Sequence, residues 1–253
     1  MRDKVLYNLV LFAVLLIGAS YLIGQLTAGQ DVKIIKDLGL SAISAFGLFI
    51  AVFIGIGLVS KEVERRSIYG LLAKPIHRYQ LVAGKYAGLT LTLAINVAVM
   101  GVALYLVLAY MSRGVPVEVQ KAWDAPALDP ALLKAIVLIL VELMVITAIA
   151  LFFSTFSTPL LSAALTFGIF LVGQFSADLR TFEQVVDSPP VARIARGLYW
   201  VLPNLAQFDV KAQIVHAQPV TAGYMAMTTL YAALYIATLL VAAMLIFSRR
   251  DFK

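Results

Sequence analysis

Few residues in this chain can do chemistry, and the first of them is a carboxylate. Glu142 stands inside the apolar run 134–153. An acid in such a place could bind a cation, take up a proton or contact a polar substrate. It could equally be a protonated or hydrogen-bonded side chain turned toward neighbouring helices. Asn96 is the second candidate. It follows Gly84, Gly88 and Thr92 at four-residue spacing, so the four share one helix face. Asn96 lies about 16 Å along that helix from Lys85, at 1.5 Å per residue. The face could line a substrate path or form a packing seam, because small and polar residues mediate helix contacts in lipid. Gly47, Ala51 and Gly55 make a similar stripe earlier in the chain.

Other catalytic signatures are missing. The single Gly-Lys, Gly84-Lys85, has Tyr79 where a phosphate-binding loop needs its first glycine and Tyr86 where it needs Ser or Thr. The chain therefore cannot hold ATP by such a loop. No His-Glu-x-x-His and no Gly-x-Ser-x-Gly is present, and there are no cysteines. No cofactor or metal is assigned to this chain. His77 and His216 fall on opposite sides of the membrane in the topology below, which excludes a metal site between them.

The elements that carry these residues are membrane spans. Of 253 residues, 62% are hydrophobic and 13% charged, against about 45–50% and about 25% in soluble domains. Six apolar runs are read as transmembrane helices of one all-α domain, 1–253: about 5–24, 38–59, 84–111, 134–153, 160–177 and 221–247. The first run is longer than the apolar part of a signal peptide and lacks a small-residue cleavage site, so it is retained. Between the runs, 25–37 and 112–133 are read as external loops and 154–159 as a tight cytoplasmic turn. In 178–220, Val191, Ile194, Leu198 and Val201 recur at helical spacing beside Tyr199 and Trp200. This predicts an external amphipathic helix before span six, lying on the outer face or dipping into it.

Charge orients the bundle. The segments assigned to the cytoplasm carry 11 basic and 4 acidic residues, and the external ones 9 of each. Lys and Arg collect on the cytoplasmic side, so both termini are placed there. The net charge of +6 is thus a topology signal rather than a sign of nucleic-acid binding.

The most charged of these segments is Ser60–Lys85, SKEVERRSIYGLLAKPIHRYQLVAGK, with six basic residues. A run this charged does not cross a hydrocarbon core. Glu62 and Arg66 stand four apart in the favourable order for a helical pair. Pro75 disfavours helix at Lys74 and breaks the run. The spacing predicts a helix leaving the membrane, a short apolar helix, a break, and a helix from about Arg78 back in. Ile68, Tyr69, Leu71 and Leu72 form an apolar knot in this polar loop. Such a knot marks a docking site, or else lies against the bilayer or the protein's own helices.

Glu62, Leu71-Leu72, Pro75-Ile76-His77-Arg78 and Gly84-Lys85 occur in an order that resembles the permease subunits of the six-helix, type-2 ABC exporter family. The six-span layout extends that resemblance over nearly the whole chain. It implies that this loop carries a coupling helix docking into a separate ABC ATPase, with Glu62, Ile68, Tyr69, Gly70, Leu71, Leu72, Pro75 and Arg78 at the contact. ATP and Mg would belong to that ATPase. A second copy of the chain, or a similar permease, would complete the pore in a prokaryotic cytoplasmic membrane. The turn at 154–159 resembles the family's second, smaller contact. Family permeases carry an amphipathic elbow helix before span one. The residues Met1–Lys4 cannot form one, so either the start lies upstream or the elbow is absent. Two other readings stay open: an ion- or proton-coupled secondary transporter using Glu142, and a non-transporting membrane anchor.

Overall fold

Long apolar runs uninterrupted by proline have one way to satisfy their backbone in lipid, which is to wind each run into a helix. The computed structural model describes residues 2–26, 31–64, 78–121, 123, 125–176, 197 and 202–249. Its helices are α1 Arg2–Gln25, α2 Asp31–Glu64, α3 Arg78–Gly114, α4 Val117–Gln120, α5 Ala131–Ser154, α6 Pro159–Gln174, α7 Lys211–Val215 and α8 Ala222–Arg249. A 3₁₀ turn, Ala206–Phe208, precedes α7. The described residues contain no strand.

Among the described residues five helices are long and apolar enough to cross a membrane: α1, α2, α3, α5 and α8. The fifth run of the sequence folds as α6, which at 16 residues is about 24 Å long and shorter than the roughly 30 Å hydrocarbon core. In contrast, α3 has 37 residues and reaches about 55 Å, so it projects beyond the core or tilts within it.

Two helices begin earlier than hydropathy alone suggests. The polar stretch 25–37 is largely helical, because α2 starts at Asp31. An acid in the first turn complements the helix dipole, and Val32 and Ile35 bury their side chains there. Lys36, expected in an external loop, is 1% exposed and donates from Nζ to the Pro126 carbonyl at 2.8 Å. Its aliphatic stem packs while its head meets a backbone acceptor, so the charge does not keep the residue in solvent. Likewise α5 begins at Ala131, where the Asp129 carboxylate accepts from the Ala131 N–H at 2.8 Å. Tyr105 of α3 donates to the Asp129 carbonyl at 3.0 Å.

The chain divides into two units. The first comprises Met1–Ala51, Thr90–Leu143 and Asp209–Thr229. Here α1 meets α2 at Gly24 and Ile35, α2 meets α3 at Gly39 and Leu104, and α3 meets α5 at Gly101 and Ile136. Tyr21 of α1 packs edge-on against Tyr110 of α3, with ring centroids 5.5 Å apart. Lys134 donates to the Val220 carbonyl at 2.8 Å, tying the start of α5 to the segment leading into α8. The short α7 ends in a left-handed Ala217, φ 56°, with Gln218 N–H bonding back to the Gln213 carbonyl at 2.8 Å. That closure satisfies carbonyls at the helix end.

The second unit comprises Val52–Leu89, Met144–Phe208 and Leu230–Lys253. Within it α2 lies close on α5, with Gly55 over Ala150. The Tyr86 hydroxyl of α3 donates to the Met144 carbonyl of α5 at 3.2 Å. The connection between α5 and α6 is a tight turn, as its composition implied. Thr155 and Phe156 N–H bond to the Phe152 and Phe153 carbonyls at 3.1 and 3.2 Å. Thr158 then caps α6 and Pro159 occupies its first turn.

Candidate functional site

The loop that carries the sequence signal is framed by two helices. α2 continues to Glu64 and α3 starts at Arg78, both in the second unit. Residues 65–77, and with them Ile68, Tyr69, Gly70, Leu71, Leu72 and Pro75, lie outside the described residues. Glu62 is on the last helical turns of α2, and Arg78 is the first residue of α3.

The same unit contains the turn 155–158. Phe152, Phe153 and Phe156 pack there at centroid distances of 5.3–5.8 Å. Phe156 and Leu160 remain exposed, Leu160 by 83%. Neither residue stood out in the sequence. The one signal that could have found them is the position of large apolar side chains at a turn lacking charge.

Two intramembrane polar residues separate in behaviour. Glu142 on α5 is 3% exposed, so it points into the protein rather than to lipid. Asn96 is half-buried at the midpoint of α3, and with Leu6, Tyr7, Thr92 and Ile95 it lines a cavity of about 240 Å³ in the first unit. Its amide Nδ2 donates to the Thr92 carbonyl at 2.7 Å.

The two small-residue stripes also part company. In the first unit a side chain on Gly47 would run into Leu143, and Ala51 is 1% exposed. In the second unit a Cβ on Gly55 would lie 2.6 Å from the Ala150 Cβ. Gly84 and Gly88 have nothing within 4 Å of where a Cβ would be.

Past α6, the chain is pinned by polar contacts. Leu205 N–H bonds to the Gly173 carbonyl at 3.0 Å, supplying a donor to a helix end that would otherwise stay unsatisfied. Ser176 Oγ lies 2.7 Å from Asn204 Oδ1, and the Asn204 N–H donates to the Tyr231 hydroxyl at 3.0 Å. Tyr231 is nine residues into α8, about 14 Å along its axis. Residues 203–208 thus run beside α8 well past its start, with Pro203, Leu205 and Phe208 buried. The sequence placed all of 178–220 in an external section. Within it Pro203, Leu205, Phe208, Ile214 and Val215 are buried in the protein rather than exposed. The amphipathic stretch 191–201 lies outside the described residues, apart from helical Gly197. Tyr231→Phe leaves the Asn204 N–H without its acceptor, at a cost of about 1–3 kcal/mol. Hydrogen exchange at residues 204–208 is expected to rise about tenfold or more, with the rest of α8 unchanged.

The family model described as ABC-2 family transporter protein matches residues 1–252. The chain belongs to the ABC-2 transporter family. No curated protein matches it. The permease is accordingly a multi-pass transmembrane subunit of an ABC transporter, engaged in transport rather than catalysis. Members of the family normally work with an ATPase subunit. The helical architecture and the five membrane-length helices fit that membership.

Proposed function

We propose that the permease is the membrane half of an ATP-driven exporter, with six spans, cytoplasmic termini and a place in the prokaryotic cytoplasmic membrane. α6 supplies the fifth of these spans, lengthened by the pinned segment 203–208. The loop 65–77 docks a separate ABC ATPase, which holds the ATP and Mg. The observation carrying this reading is the family match over residues 1–252, supported by the placement of the helices flanking this segment, α2 and α3, in one unit with the turn 155–158. Motion delivered to a short element between two long helices is passed to both. Ile68, Tyr69, Gly70, Leu71 and Leu72 fill the ATPase groove, Pro75 sets the break, and Glu62 and Arg78 anchor its edges by charge. The Gly84–Lys85 junction carries motion into α3. Phe156 and Leu160 form the smaller second contact. A second permease copy, or a similar chain, completes the assembly, and the cargo is amphipathic or hydrophobic.

The test is affinity capture of the tagged chain from its native membrane in mild detergent, followed by mass spectrometry. A stoichiometric soluble protein carrying a phosphate-binding loop is expected. A stable permease that never brings an ATPase with it would end this reading.

The burial of Glu142 favours one alternative, a proton-coupled carrier. Glu142→Gln keeps shape and hydrogen-bonding capacity and removes the proton. In an ATP-driven permease the variant retains transport within about twofold, measured in proteoliposomes loaded with ATP and the partner ATPase. In a proton-coupled carrier it abolishes gradient-driven uptake.

A further inference from the structure

We infer that the cavity between α1 and α3 is a binding site, open to the bilayer, for an uncharged amphipathic molecule bearing a hydroxyl or amide group. The inference requires only that α1 and α3 span the membrane, and is independent of the ATPase assignment.

Tyr7 and Asn96 line one end of the contact between these helices, and Tyr21 packs on Tyr110 fourteen residues further along each. The helices therefore run parallel, and the cavity is a lateral groove between two spans. Its edges are open, since Tyr7 is 72% and Ile95 57% exposed on two helices of membrane-spanning length. Its walls carry polar groups. Asn96 commits one amide N–H to its own helix and keeps Oδ1 and a second N–H for another partner. The Tyr7 hydroxyl adds a donor and acceptor. Hydrocarbon cannot satisfy such groups, so a lipid tail alone is a poor occupant. A molecule offering both a donor and an acceptor satisfies them.

Size and charge narrow the class. A cavity of 240 Å³ is smaller than the roughly 300–1,000 Å³ of pockets enclosing whole drug-sized ligands. It seats a polar group and its first carbons, with the apolar remainder passing over Leu6 and Ile95 into the bilayer. Leu6, Tyr7, Thr92, Ile95 and Asn96 bear no charge, so an anionic phosphate headgroup gains no counter-charge from them.

The probe is a monoacylglycerol with a diazirine early in its acyl chain, photolysed with the permease in nanodiscs and mapped by mass spectrometry. Adducts on peptides containing Leu6–Tyr7 and Ile95 should exceed those on the exposed Met227 and Leu230 of α8 about tenfold. Asn96→Leu should lower groove labelling at least fivefold. Tyr7→Phe, at an exposed position that folding tolerates, should lower it at least twofold. Labelling spread evenly over α1, α3 and α8, and insensitive to both variants, would mean ordinary annular lipid and overturn the inference. Equal groove labelling by phosphatidic acid carrying the same diazirine would overturn the uncharged class. The chain has no cysteines, so Ile95→Cys reports on one further occupant. Near-complete disulfide-linked dimer through that residue would assign the groove to a second copy instead.

Discussion

Replacing Leu71 and Leu72 together with Asp is expected to release the ATPase while leaving the permease folded. Each leucine buried in a groove contributes about 1.5–3 kcal/mol, so losing both weakens docking by roughly 3–6 kcal/mol. That is about a hundredfold or more in Kd, before the cost of placing carboxylates against an apolar wall. Titrating purified ATPase onto permease nanodiscs reads the loss directly, and ATP-dependent transport should fall with it. The thermal midpoint of the isolated permease should stay within about 2 °C, because a docking knot is not part of the membrane bundle. Wild-type ATPase affinity in this variant would remove the loop from the interface. A collapsed midpoint with normal affinity in the surviving fraction would instead make the knot part of the permease's own packing.

Gly55→Leu should destabilise the permease more than any other single change considered. A Cβ at that position stands 2.6 Å from the Ala150 Cβ and 3.4 Å from the Thr147 carbonyl. Neither neighbour can rotate away, since one is a stub on the backbone and the other is backbone itself. α2 and α5 must separate, and overpacking of this kind costs about 1–3 kcal/mol. At about 2–4 °C per kcal/mol for a chain of this size, the midpoint should drop by roughly 2–12 °C. Gly84→Ala is the control. It meets nothing within 4 Å and gains helix propensity, so its midpoint should hold or rise slightly. Equal losses from the two variants would mean that the close approach of α2 to α5 is not what holds this unit. Gly47 is a softer case, because the clashing group is the far end of the Leu143 side chain, which can shift.

Much of this molecule is determined by one-dimensional properties of the chain. Hydropathy summed over some twenty residues specifies the long helices, because lipid admits no unsatisfied backbone whatever the neighbours are. The uncharged Ser154–Pro159 stretch specifies a tight turn. These are local rules, and the structure obeys them. The order of Glu62, Leu71-Leu72, Pro75, Arg78 and Gly84-Lys85 carried the family, which the match over residues 1–252 establishes.

Tertiary structure alone decided what each face meets. Gly47, Ala51 and Gly55 share their spacing with Gly84 and Gly88, yet the first set is packed against α5 and the second is open. Period sets which residues align on a helix, but carries no information about the helix opposite. Lys36 reads as a loop charge and is buried because one carbonyl, at Pro126, lies within reach of its Nζ. Leu205 and Phe208 read as part of a polar external section. They are buried because Gly173 and Tyr231 offer the backbone hydrogen-bonding partners that let the segment lie beside α8. In each case the deciding partner is dozens of residues away in sequence. Burial follows from that encounter and not from the residue's own type.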